Sequence, residues 1–311
     1  MVFKEHHSSS AIDYEALKDI INVYQPRVLL SDASASNNLI DHQAISTICR
    51  TSGVYVLADI TETSGLVASG LIASPFEHAD IVITGTQGSL RGPGGALIFS
   101  RKTALVQRTD VKDIELRSLG GAIDQSVFPG HQGGPHNHAI MAMAVALKQV
   151  STHSFKVYQR LVLANAKALA ERLLFLGYRL NVNDTPTHHL VVKLGIVDAL
   201  LVKRVLDAIR VASNVVAEKN ELHVGTLAMT SHGLLPNDFC WVADIIHRAV
   251  STAQSLSSIK YGNITCGFEG GKSLSDCGTE TSKTRSMCDP KILEMRQEIE
   301  YWMNRFAVLS D

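Results

Sequence analysis

The sequence has no long apolar run. Its longest candidate, Ala139 to Val150, ends in charged company at Lys148 and falls short of the roughly 18 residues needed to cross a bilayer. Met1 to Ser10 lacks the apolar stretch of a secretory leader, so no signal peptide is expected. Cysteine is scarce and odd in number: Cys49, Cys240, Cys266, Cys277 and Cys288 contain no CxxC pair. That excludes a disulfide framework as the organising principle and points to a reducing, intracellular compartment. Charge of one sign is lacking too. With 29 basic and 30 acidic residues the net charge is −1, and nucleic-acid binding by counterion release needs a basic face. What is present suits a globular protein: 311 residues, 45% hydrophobic and 19% charged, enough for one large domain or two.

Along the first hundred residues, helical and strand patterns alternate. Asp13 to Val23 has helical spacing and Pro26 stops it, after which Arg27 to Leu30 reads as a short buried strand. Leu39 to Ser52 places Ile40, Ala44, Ile45 and Ile48 on one helical face, closed by Gly53. Val54 to Leu57, running into Asp59, is the next strand, with Ile81 to Ile83 and Ala96 to Phe99 after it. Helices between β-branched runs predict a mostly parallel sheet covered by helices. The spacing predicts an irregular segment over Gly120 to His138, then helices over Ala139 to Val150 and Ser154 to Leu176. The second of these carries a core-facing stripe of Phe155, Tyr158, Val162, Ala166, Leu169, Leu173 and Leu176. A strand at Leu190 to Leu194 and a helix at Asp198 to Val211 follow, then irregular chain. Asn237 is the expected cap of a helix over Asp238 to Leu256. Tyr261 to Pro290, rich in Gly, Ser and Thr, reads as a mobile loop, and Lys291 to Ala307 as a last helix. The expected domains are 1–150 and 151–311.

Two features point to chemistry. Asp59 sits at the C-terminal end of a predicted buried strand, the edge where open α/β sheets bind ligands. The plainer reading, an aspartate capping the next turn, stands beside it. After the strand Ile81 to Ile83 comes Thr84-Gly-Thr-Gln-Gly-Ser-Leu-Arg-Gly-Pro-Gly-Gly95, whose glycines permit close backbone approach and positive φ. Thirteen histidines are many, yet His6-His7 and His188-His189 lack a helical i,i+4 partner or an acid at ligand spacing. No metal site is expected.

Together, Leu57 to Ala68, Ser74 to Val82, Ser89-Leu-Arg-Gly-Pro93 and Val127-Phe-Pro-Gly-His-Gln-Gly-Gly-Pro-His-Asn-His138 resemble serine hydroxymethyltransferases, from about Ile12 to the C-terminus. The resemblance implies an α/β chain of the aspartate-aminotransferase-like type I pyridoxal-phosphate fold: part of a large domain with a mostly parallel sheet, then a smaller α/β C-terminal domain. It implies pyridoxal phosphate as cofactor, serine, glycine and tetrahydrofolate as reactants, and a dimer or larger oligomer. Asp59 matches the carboxylate that pairs with the pyridine nitrogen, Ser34 a cofactor-contacting serine, and Arg91 a retained motif arginine. Gly133 and Gly134 match a turn that serves the phosphate of a neighbouring subunit.

The departures from the family pattern carry more information than the matches. The family's Schiff-base lysine aligns with Gly88, which has no side chain to form an imine, and the neighbouring histidine with Gln87. A histidine near the cofactor's ring oxygen has become Glu62. The arginine that grips the substrate carboxylate has become His223, which lacks the two-pronged guanidinium. A folate-side asparagine is replaced by His188. Relative to the family, Met1 falls inside the large domain, so the phosphate loop, the stacking histidine and a proton-handling glutamate are expected to precede it. The expectation is therefore a catalytically inactive or impaired relative, with cytosol as the default compartment and mitochondrion or plastid as alternatives. The alternatives are an interaction or regulatory subunit of an active paralogue, and an enzyme using another amine, Lys102 or Lys112.

Overall fold

The computed structural model describes residues 12–32, 39–103, 105–107, 116–182, 185–262 and 289–306. The chain divides into two compact units, Met1–Arg160 and Leu161–Asp311. The boundary falls ten residues beyond the expected 150.

The first unit opens with α1 (Tyr14–Tyr24), capped by the Asp13 carboxylate, which accepts from Ala16 N–H at 3.0 Å. Leu17 and Ile21 give it a buried face, and Gln25 ends it in the left-handed region, φ 42°. Strand β1 (Val28–Asp32) leads to α2 (His42–Thr51), whose cap Asp41 accepts from the amides of Gln43 and Ala44. Then come β2 (Tyr55–Asp59), the short α3 (Ser64–Ala68), β3 (Ile81–Gly85), a single 3-10 turn over Gly88–Leu90, and β4 (Ala96–Ser100). The sheet order is β1-β2-β3-β4; the first three are parallel and β4 runs antiparallel to β3. The parallel-rich sheet expected from the alternation is present, with one reversed edge.

Strand alternation explains which face is covered. Val56, Ala58 and Val82 point into a core built with Leu17, Ile21, Ile45 and Cys49. Leu30 pairs with Leu57, and Asp32 with Asp59, on the opposite face, where Leu30 is 61% exposed and Ile98 48%. Asp80 fastens the core's edge: its carboxylate accepts from Val56 N–H at 2.9 Å and lies 3.5 Å from Arg101 Nε.

A ribbon of β5 (Leu105–Gln107) and β6 (Leu116–Ser118) precedes α4 (Leu119–Gln125). The irregular reading of Gly120 to His138 is thus corrected at its start. Ser118 accepts from Gly121 N–H and caps a helix that two adjacent glycines disguise in the sequence. A wound turn over Ser126–His131 and an extended stretch follow, then α5 (Asn137–Val150) and α6 (His153–Phe175), inside which the unit boundary falls.

The second unit contains β7 (Arg179–Leu180), β8 (His189–Lys193), α7 (Ala199–Ala208), β9 (Asn214–Val216), β10 (Glu221–Gly225), α8 (Leu227–Ser231), α9 (Pro236–Gly262) and α10 (Pro290–Met303). Its sheet, in the order β7-β8-β10-β9, is antiparallel throughout. The chain between Val211 and Asn237, expected to be irregular, holds two of those strands and a helix. Three- and five-residue strands are too short for alternation to announce them, and the pairing of β10 with β8 and of β9 with β10 decides them. One face, with Leu180, Leu190, Val192 and Leu222, packs against Leu169 and Leu173 of α6, Val205 and Leu206 of α7, Phe239 and Ile246 of α9, and Met295 of α10. The α6 stripe read from the sequence is buried or half-buried throughout.

Helix α9 begins at Pro236 rather than after Asn237. Proline suits the first helical position, and the Asp238 carboxylate reaches back to Leu235 N–H at 2.8 Å, the geometry of a capping box. Of the expected loop Tyr261 to Pro290, Tyr261 and Gly262 close α9, Asp289 caps α10 and Pro290 opens it; residues 263–288 lie outside the described residues.

Candidate functional site

In the first unit, the sequence-derived site residues lie on the carboxyl ends of β2 and β3 and on the glycine-rich loop. Asp59 is the last residue of β2. Its Oδ1 accepts from Thr61 N–H at 2.9 Å and from Thr61 Oγ1 at 2.6 Å. Thr61 Oγ1 in turn accepts from Gly85 N–H at 3.0 Å, at the end of β3. Glu62, next in the chain, is exposed. A cavity of about 30 Å³ adjoins Asp59, lined by His42, Ile60, Thr63 and Val67 among others, and admits about two water molecules. Burial, with the His78 charge adding to it, lowers the His42 pKa despite Asp41.

The loop after β3 is held by its backbone and by buried polar contacts. Gly88 starts the 3-10 turn at φ 57°, and a Cβ built there meets no atom within 4 Å. Gln87 precedes it, and its amide would lie 3.4 Å from a Cβ at Gly94. Ser89 is fully inside: its hydroxyl accepts from Gly65 N–H and bonds the Ser64 hydroxyl, and its carbonyl accepts from Gln159 Nε2 at 2.9 Å. Gly65 is required there, since a Cβ would sit 2.4 Å from Ser89 O. Arg91 points its guanidinium over the Tyr158 ring, 4.8 Å from the centroid, a cation–π contact. Gly133 and Gly134 lie in the exposed stretch before α5. Ser34 lies outside the described residues.

The Asp59 bonds to Thr61 match the plainer, turn-capping reading of that aspartate, whereas the sequence held no signal for Gln159, which reaches Ser89 from 70 positions away. Lys102 follows β4. Because β4 opposes β3 with Ser100 beside Ile81 and Ala96 beside Gly85, Lys102 stands at the end of the sheet remote from Gly85, six residues or roughly 20 Å along the strand direction. Lys112 lies outside the described residues.

In the second unit, His223 lies on β10, on the sheet face opposite the core, with its side chain 14% exposed. Its Nε2 is 3.5 Å from Glu221 Oε2, while Glu221 Oε1 is ion-paired with Lys193 across the β8–β10 register. The His189 ring lies 5.0 Å from that of His223. A buried carboxylate thus already engages both Lys193 and His223, and another anion approaching them meets like charge. His188, just before β8, is buried. Among the described residues, no group of three or more His, Cys, Asp or Glu is placed to hold a metal ion, and no helix is long and apolar enough to cross a membrane.

Comparison with known proteins gives the lineage. The family profile described as serine hydroxymethyltransferase matches residues 1–246. A putative mitochondrial serine hydroxymethyltransferase of Neurospora crassa is 41% identical over 95% of this chain and 57% of its own length. The mitochondrial enzyme of Saccharomyces cerevisiae is 35% identical over all of this chain and 64% of its own, and the cytosolic one of Aspergillus fumigatus 38% over 98% and 65%. The chain spans about three-fifths of the length of these curated relatives. It belongs to the serine hydroxymethyltransferase family, whose type I pyridoxal-phosphate fold its parallel-rich first sheet shares as part of the large domain.

Proposed function

We propose that this chain is a serine hydroxymethyltransferase-like protein that does not itself catalyse the family reaction, the pyridoxal-phosphate-dependent transfer of a one-carbon unit between serine and tetrahydrofolate. The observation that carries the reading is Gly88. At the position that the motif resemblance gives to the Schiff-base lysine there is no amine, and the backbone is left-handed with open space around it. One further feature agrees: His223 is engaged by Glu221 where a substrate-gripping arginine is expected. The residues present do not fit the cofactor, and no step is assigned to it.

The test is to incubate the purified chain with pyridoxal phosphate, reduce with borohydride, and digest for mass spectrometry while assaying glycine release from serine. No pyridoxyl-lysine and no glycine are expected. A reduced adduct on any lysine accompanied by serine cleavage overturns the reading.

A second reading, an interaction or regulatory subunit for a catalytically competent paralogue, has one observation in its favour. Helix α5 is apolar for most of its length, yet Ala146 is its one buried residue, and Ile140, Met141 and Val145 are more than half exposed. Co-purification from cells that express a full-length relative tests it; recovery of this chain alone rejects it.

A further inference from the structure

Strand β1 lies at one end of the first sheet, and its outer edge has the makings of a surface for another strand. Among the described residues it pairs with β2 alone. Tyr55 N–H donates to Arg27 O at 3.1 Å, so Arg27, and by alternation Leu29 and Ser31, turn their backbone groups towards β2. The N–H and C=O of Val28 and Leu30 therefore point the other way. The side chains of these two residues lie on the face opposite the core, with Val28 47% exposed and Leu30 61%. Leu57 and Ile81 continue that face across the sheet, and Ile98, 48% exposed, carries it to the far strand. Outward backbone groups beside exposed apolar side chains are what sheet proteins ordinarily blunt with a charge or a bulge.

We infer that β1 is a self-pairing edge, to which a second copy of this chain adds its own β1 antiparallel, across a two-fold axis normal to the sheet. The strand is self-complementary in one register. With Leu29 opposite its own counterpart, Val28 stands opposite Leu30 of the second copy in both halves, and each such pair exchanges backbone N–H···O bonds. A slip of one residue would set side chains of opposite faces against each other. A slip of two brings either Asp32 against Val28 or Pro26, which has no N–H, against Leu30. The same symmetry places the two exposed apolar faces side by side on one surface. A net charge of −1 leaves two copies little mutual repulsion to overcome at neutral pH. Such a contact uses the same patch on both partners and closes at two copies. The inference goes beyond the reading of the chain as a non-catalytic family member and stands whether or not a cofactor binds.

The test measures the mass of the full chain against concentration by light scattering. The background carries Met141→Lys and Val145→Glu, so that the apolar exposure of α5 does not contribute. A dimer that dissociates on dilution is expected. Leu30→Pro removes an outward N–H, leaves the β1–β2 bonds in place, and suits an edge strand. It deletes one hydrogen bond from each symmetric pair and is expected to weaken the dimer about tenfold or more, with an unchanged melting temperature. Leu30→Val is expected to match the parent. Leu29→Cys, at the two-fold axis, is expected to give a disulfide-linked dimer under mild oxidation, located by peptide mapping and suppressed by Leu30→Pro. A monomer at every concentration overturns the inference, as does a dimer indifferent to Leu30→Pro. A mass that climbs past two copies also overturns it, because that marks an open, head-to-tail contact between β1 and β4. If Leu30→Pro does not fold, Leu30→Lys decides: the exposed position accepts the charge, and an undiminished dimer rejects β1 as the contact. Borohydride trapping of pyridoxal phosphate, which none of these measurements involves, tests the proposed loss of catalysis separately.

Discussion

Gly88 poses the sharpest question a single residue can pose here, because its neighbourhood has room for what it lacks. A lysine at 88 would meet no steric clash at Cβ but would sit at φ 57°, which costs a non-glycine residue about 1–2 kcal/mol. Gly88→Lys is therefore expected to lower the melting temperature slightly, to be trapped by pyridoxal phosphate and borohydride, and still to release no glycine from serine. Glycine release by that variant would show the remainder of the site to be intact. Cys49 makes a contrasting case. Burial, and secondarily the Asp80 charge, push its thiol up to about 11, so it holds its proton at neutral pH and is a poor nucleophile. Alkylation of the native protein at pH 8 is expected to spare Cys49 and to reach it only on unfolding, as peptide mapping would show.

At the scale of elements, hydrogen bonds buried between helices hold what propensity alone would not. Asn165, fully buried in α6, donates to Thr230 Oγ1 at 2.8 Å and to Leu234 O at 2.9 Å, fixing the turn between α8 and α9. Asn165→Leu strands those acceptors and is expected to cost about 1–3 kcal/mol, measurable by urea denaturation. The apolar exposure of α5 gives the opposite sign. Met141→Lys with Val145→Glu removes surface that favours self-association and leaves packing intact, so light scattering is expected to show a smaller average mass at high concentration without loss of stability. These elements also mark how far the amino-acid sequence could be read. The α1, α6 and α9 stripes were legible because each repeats at helical period over several turns and buries one face. Strands β9 and β10 and helix α4 were not, because their placement depends on a partner strand or on a cap beside glycines. Motif resemblance alone singled out Asp59, Gly88, Arg91 and His223. Of their surroundings only the turn that Asp59 caps was legible; Gln159 reaches Ser89 across 70 positions and Glu221 meets Lys193 across two strands, contacts that no local pattern encodes.

For the whole molecule, the two units differ in how they are enclosed. The first has one covered sheet face, while the second packs its sheet under four helices. Both tryptophans of the chain, Trp241 and Trp302, stack in the second unit at 4.1 Å between ring centroids. Indole fluorescence therefore reports the second unit, and far-ultraviolet circular dichroism reports both. Acid separates the two signals. His42, in the first unit, has its folded pKa lowered below 6.5 by burial, with His78 adding to the effect, so the neutral ring stabilises the fold above 6.5 and that stabilisation is lost as pH falls below it. From pH 7 to 5.5 the earlier dichroism transition is expected to move to lower temperature while the fluorescence midpoint moves less. His42→Gln should flatten the shift, and coincident transitions at both pH values would refute the assignment.

The contact between Gly65 and the carbonyl of Ser89 makes position 65 a gauge of the loop's path. A methyl there would occupy the oxygen's own space, so any larger residue at 65 forces the main chain around Ser89 off its present course.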